Sequence, residues 1–117
     1  MTRRVVITGL GTVNAVGKTA PETWGRLLEG RSGIAPITLF DASEFSATIA
    51  GEVKDFDPEL VVEAKEVRKQ DRFTLFGMQA GAEAMQDAGL ADGGFDPDRA
   101  GCLMGVGIGG LTDIEAT

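Results

Sequence analysis

Apolar residues along this chain come in short bursts, most of them closed by glycine. Residues 4–8 (Arg-Val-Val-Ile-Thr) are continuous and β-branched, which predicts a buried strand ending in a turn at Gly9. A loop follows over 9–17. Thr19-Ala20-Pro21-Glu22 then opens a helix, with Thr19 as cap, Glu22 reaching back, and proline tolerated in the first turn. Trp24, Leu27 and Leu28 form its apolar face, and Gly30 stops it.

Residues 31–46 show no period and read as irregular, and 48–53 as a weaker second strand. Asp57-Pro58 starts a helix running to about Lys69. A further helix covers about 72–88. Its stripe Phe73, Phe76, Gly77, Ala80, Gly81, Ala84 and Ala88 is mostly Ala or Gly, so it admits a close neighbour, and Gly89 ends it. Residues 93–98 form a turn, 100–106 a third strand, 107–110 a glycine-rich turn, and 111–117 the first turns of a helix. The order β-α-β-α-α-β predicts an α/β architecture, layered α-β-α around a mostly parallel sheet. A sheet that stops there is unfinished, which predicts that the 117 residues are part of something longer and fold poorly or self-associate alone.

Composition narrows the chemistry. The 117 residues contain no His and one Cys, which excludes Ser-His or Cys-His catalysis within them, the common zinc sites and an internal disulfide. The longest uncharged stretches, 5–17 and 100–112, fall well short of the ~20 apolar residues a bilayer span needs. The start of the chain lacks the long apolar region of a secretory signal, so the expected location is cytoplasmic. Net charge is −7, which makes nucleic acid an unsuitable general partner. The charge is uneven: residues 1–40 carry five positive and two negative side chains, and the remainder six and sixteen.

Against that acidic background one basic cluster stands out. Lys65, Arg68, Lys69 and Arg72 are spaced i, i+3, i+4, i+7 and share a face if one helix runs through them. A solvated face and a docking face for an acidic partner both fit. Gly11 to Thr19 resembles a phosphate-binding loop, but with five residues between the glycines where the motif requires four. Gly105-Val106-Gly107-Ile108-Gly109-Gly110 matches the dinucleotide pattern G-x-G-x-x-G after a strand, and a tight turn packed on a neighbour explains it as well. Cys102 lies in an apolar strand with no base beside it and reads as structural filler. The pairs Asp55/Asp57 and Asp96/Asp98 each lie beside a proline, so capping and turn formation explain them better than metal binding.

Six blocks occur in order: RRVVITGLG at 3–11, FDASEF at 40–45, IAGEVKDFDPE at 49–59, DRFTLF at 71–76, DAGL at 87–90 and GIGG at 107–110. Together they closely resemble the N-terminus of the β-ketoacyl-[acyl-carrier-protein] synthases, the condensing enzymes of fatty-acid synthesis. The resemblance covers essentially the whole chain. It departs at 14–17, where Asn-Ala-Val-Gly replaces the frequent Ser-Pro-Leu-Gly or Ser-Pro-Val-Gly, and at Val106, where serine is usual.

The resemblance implies a thiolase-like fold of two similar α/β halves, a homodimer, and no cofactor or metal. It implies a decarboxylating Claisen condensation in which an acyl group carried on a Cys is extended by malonyl on acyl carrier protein, with two His assisting. That Cys and both His lie further along the family sequence, so no catalytic residue is expected here and the segment alone should be inactive. Two such halves require about 250 or more residues. Residues 1–117 are therefore expected to be the N-terminal portion of the first half, with no second domain. By position, Ile108 matches the residue at the end of the acyl pocket. Lys65, Arg68 and Lys69 match the basic helix that meets acyl carrier protein. A type II polyketide ketosynthase or its chain-length partner is the alternative of the same fold. A dinucleotide-binding module built on 105–110 is the alternative of another class.

Overall fold

The computed structural model describes residues 2–116. Two helices dominate. The first, α1, spans Ala20–Leu28. The Thr19 side chain accepts from the Glu22 N–H at 3.2 Å, and the Glu22 carboxylate accepts from the Lys18 N–H at 2.7 Å. This is a reciprocal cap whose return arm reaches one residue further out than the usual box. At the other end the Gly30 N–H bonds the Leu27 carbonyl and the Arg31 N–H bonds the Arg26 carbonyl, both at 3.0 Å. This Schellman closure needs the left-handed backbone at Gly30, φ +71°.

Between α1 and the next helix lies a small hairpin. Strand β1 is Ile34–Pro36 and strand β2 is Ile49–Gly51. They pair antiparallel, Ile34 with Gly51, Ala35 with Ala50 and Pro36 with Ile49. The irregular reading of 31–46 is corrected here. A three-residue strand containing proline carries too short a signal to register as a period. The Glu52 carboxylate ties the hairpin by accepting from the Thr38 N–H, the Thr38 hydroxyl and the Leu39 N–H.

The long basic helix expected from 57 to 69 is also corrected. Pro58–Leu60 is one 3₁₀ turn, closed by the Val61 N–H on the Pro58 carbonyl. The extended backbone at Glu63 (φ −63°, ψ 146°) then interrupts the helix, and α2 is only Ala64–Val67. The helix α3, Arg72–Asp87, follows and ends in a second Schellman closure at Gly89. A 3₁₀ turn at Pro97–Arg99 and the helix α4, Leu111–Ala116, complete the elements. Residue 117, the last of the expected helix 111–117, lies outside the described residues.

Helix α3 is the organising element. A Cβ at Gly9 would strike the Ala84 carbonyl, and one at Gly11 the Ala80 carbonyl. Residues 9–11 therefore lie directly on the Ala80–Ala84–Ala88 stripe, as its small side chains anticipate. Two carboxylates on the same helix grip this loop. Glu83 accepts from the Thr12 N–H at 2.8 Å and the Ala20 N–H at 2.7 Å, and Asp87 accepts from the Leu10 N–H at 2.9 Å. Glu83 thus caps α1 from a different helix.

Residues 4–8 and 100–106 join no ladder among the described residues, in contrast to the strands expected there. Val5 is 94% exposed and Leu103 98%. Among the described residues only Ala42 and Leu75 are buried apolar side chains. The accessible surface, 9543 Å², compares with about 6,000 Å² for a compact monomer of this mass. The radius of gyration, 17.2 Å, compares with about 13 Å. The core of this segment is a scaffold of helix-to-loop contacts around α3, with wide apolar faces open.

Candidate functional site

The N-terminus of α3 stands between two regions singled out in the sequence. On one side is the basic segment. Lys65 pairs with Glu63 at 2.7 Å and Lys69 with Glu66 at 2.9 Å, all four side chains more than a third exposed. Arg68 is exposed at the C-cap of α2 and makes no ion pair among the described residues. Arg72 does not share this face. It opens α3, lies over the Phe76 ring at 5.1 Å, and its guanidinium donates to the Val53 carbonyl. The break at 68–71 explains why the four-residue stripe reduces to three. Exposed ion pairs such as those of Lys65 and Lys69 are worth little, so both lysines can exchange their local glutamates for another acid at small cost.

On the other side is the turn bearing Ile108. Gly109 lies against the Phe73 ring, where an added Cβ would come within 3.2 Å of Cζ, and Gly110 abuts the Asp71 carboxylate. The turn then enters α4 with the Ile114 N–H on the Gly110 carbonyl at 3.1 Å. Ile108 is 73% exposed and borders a shallow cavity of about 520 Å³ with Phe73, Val106 and Ile114. A second, apolar cavity of about 660 Å³ lies between α3 and residues 102–107. It holds Cys102, which is exposed rather than the buried filler expected, because its strand has no ladder partner here. The cavity lining contains no charged residue, so nothing beside the thiol acts as a base.

The two glycine motifs resolve toward packing. In the 14–17 loop the Asn14 side-chain amide oxygen accepts from the Val16 N–H at 2.8 Å and the Gly17 N–H at 3.0 Å. Those are the N–H groups a phosphate would need. The Lys18 ammonium donates to the Asp55 carbonyl at 2.9 Å. At 105–110 the Asp71 carboxylate occupies the flank of Gly110, where a pyrophosphate would meet like charge. The aspartate pairs act as expected: Asp57 and Asp96 cap their 3₁₀ turns by accepting from Glu59 and Asp98 N–H.

Perturbed carboxylates lie away from both regions. The Lys18 N–H holds Glu22 below its ordinary value, with Arg26 and Lys18 charges adding to it and partial burial opposing. Asp41 is lowered by Ser43, and Glu52 by Thr38 first and then Leu39. These groups tie loops and carry no chemistry. Sequence reasoning missed Phe73 and Asp71 as the supports of the Ile108 turn. The only signal was their place at the start of a helix whose stripe includes Phe73.

Among the described residues no helix is long and apolar enough to cross a membrane. Residues 2–117 match the family described as "Beta-ketoacyl synthase, N-terminal domain". The 3-oxoacyl-[acyl-carrier-protein] synthase 2 of Coxiella burnetii is 49% identical over 113 residues, covering 97% of this chain and 27% of the relative. That of Vibrio harveyi is 47% identical over 114 residues, 97% of this chain and 28% of the relative. The chain thus spans just over a quarter of the length of these relatives. The solved ishigamide ketosynthase/chain length factor superposes with a TM-score of 0.68 at 37% identity, over 77% of this chain and 22% of its own.

Proposed function

The chain belongs to the β-ketoacyl synthase family and carries part of its thiolase-like α/β fold, and from that premise we propose that it forms the N-terminal portion of an acyl-chain-elongating condensing enzyme. The complete enzyme joins an acyl group to malonyl carried on acyl carrier protein, with loss of carbon dioxide, as a cytoplasmic homodimer without cofactor. The observation that carries this reading is the unbroken match of residues 2–117, at close to half identity with the 3-oxoacyl-[acyl-carrier-protein] synthases. Within it, Ile108 ends the acyl pocket, and Lys65, Arg68 and Lys69 meet acyl carrier protein. The largely apolar cavity at Ile108, whose lining also includes Asp71, and the exposed, weakly paired cations support those roles. No residue of the 117 performs the chemistry itself. With no His present, condensation depends on groups outside this segment.

The docking role is tested by reversing two charges, Lys65→Glu with Lys69→Glu, in the complete enzyme. An acidic carrier then meets repulsion where it met attraction, chiefly in its association rate. KM for the carrier-bound substrate rises roughly ten-fold while that for a small thioester stays level. Equal losses on both substrates contradict docking. A polyketide ketosynthase is the second reading, favoured by the likeness to the ishigamide ketosynthase/chain length factor.

A further inference from the structure

Two largely apolar cavities, the shallower with Asp71 in its lining, share a wall. The shallow cavity of about 520 Å³ holds Ile108, and the larger one of about 660 Å³ runs between α3 and residues 102–107 toward Met78 and Met104. Phe73 lines both. Its ring lies against Gly109, 3.2 and 3.4 Å from where a Cβ would stand, so ring and turn fix each other. The larger cavity has no charged wall, and its only side-chain polar groups are the Thr74 hydroxyl and the Cys102 thiol. Its chemistry suits a hydrocarbon tail and little else.

We propose that Phe73 is the partition between these cavities and therefore sets the acyl length accepted. This rests on the reading of Ile108 as the end of the acyl pocket. The tail stops at the Ile108 cavity because the Phe73 ring closes its far side. Removing the ring widens the passage between the two spaces beside Val106 and lets a longer tail run along α3 past Gly77, where the absent side chain leaves room beside Met104.

The test uses the complete enzyme with short and long acyl donors on the same carrier, read as the ratio of their kcat/KM values. Both donors see the same enzyme, so the ratio is insensitive to the fraction that folds. Phe73→Ala raises the long-to-short ratio about ten-fold, the scale of a few methylenes gained in an apolar pocket. Phe73→Leu, which keeps contact with Gly109, shifts it less in the same direction, and Phe73→Trp lowers it. A ratio unchanged in all three overturns the partition. Ile108→Phe, measured beside them, separates the two ideas. If it alters chain length while the Phe73 variants do not, the pocket reading stands and the partition falls. If neither alters it, both fall.

Discussion

Asn14 shows how a single side chain decides between two motifs. Its amide oxygen occupies the curl of N–H groups at 16 and 17, and its amide nitrogen donates to the Thr12 and Thr23 hydroxyls at 3.1 Å each. The loop is self-satisfied and has no vacancy for phosphate. Glu22, Asp41 and Glu52 work the same way, each taking N–H groups from its own neighbourhood. Their pKa values are lowered by those bonds. A lowered folded value means the contribution is present above the unfolded value and lost as pH falls through the folded one. These three ties therefore persist at neutral pH and are lost as pH falls below the ordinary carboxylate range, about pH 4. NMR titration of the Lys18, Thr38 and Ser43 amides is expected to show midpoints beneath the ordinary values. Midpoints at or above them would sink this account. Ile108→Phe is the second test at this scale. Bulk added at the end of a pocket shortens the chains accepted, so rates with long donors fall while short donors keep theirs. Equal loss at every length contradicts a pocket role.

At the scale of elements, what the sequence revealed followed the range of each signal. The bounds of α1 and α3 were legible because caps and glycine closures are local, fixed by residues such as Thr19, Gly30 and Gly89. The break in the basic helix was not, because the extended backbone at Glu63 comes with no proline or glycine at 61–64 to signal it. The hairpin was hidden by the shortness of Ile34–Pro36. The two apolar strands expected at 4–8 and 100–106 form no ladder among the described residues, because a ladder needs partners that local pattern does not name. Helix α3 joins what the sequence presented as separate features. Its first turn supports the Ile108 turn through Asp71 and Phe73, and its last turns hold the 9–20 loop through Glu83 and Asp87. Glu83→Gln turns one of two acceptor atoms into a donor, leaving the Thr12 or Ala20 N–H without its bond. Such a loss costs about 1–3 kcal/mol. Amide exchange at Thr12 and Ala20 should quicken roughly ten-fold or more. Unchanged exchange would remove Glu83 from the role of clasp.

For the whole molecule, the accessible surface exceeds that of a compact chain of equal mass by about half, and many large apolar side chains are exposed. Val5, Ile7, Trp24, Leu28 and Leu103 are among the side chains left open. Surfaces of this size ask for a large covering neighbour. That agrees with a chain spanning just over a quarter of its relatives. Family membership was the most legible feature of all, since six ordered blocks from 3–11 to 107–110 identify it without any single decisive residue. The proposed role of Ile108 came from its position within the last block, and that of the basic segment from its position between the third and fourth. Their geometric context, the Phe73 ring and the pairing of Lys65 with Glu63, came only with the fold. The central claim is that this segment belongs to an enzyme that lengthens acyl chains by condensation. Its most direct test is the mass of the product released when the complete enzyme is given acyl and malonyl groups on acyl carrier protein. The account predicts a 3-oxoacyl carrier two carbons longer than the donor, with one carbon dioxide lost per turnover. Recovery of both substrates unchanged, or of a product that keeps the malonyl carboxylate, would contradict it.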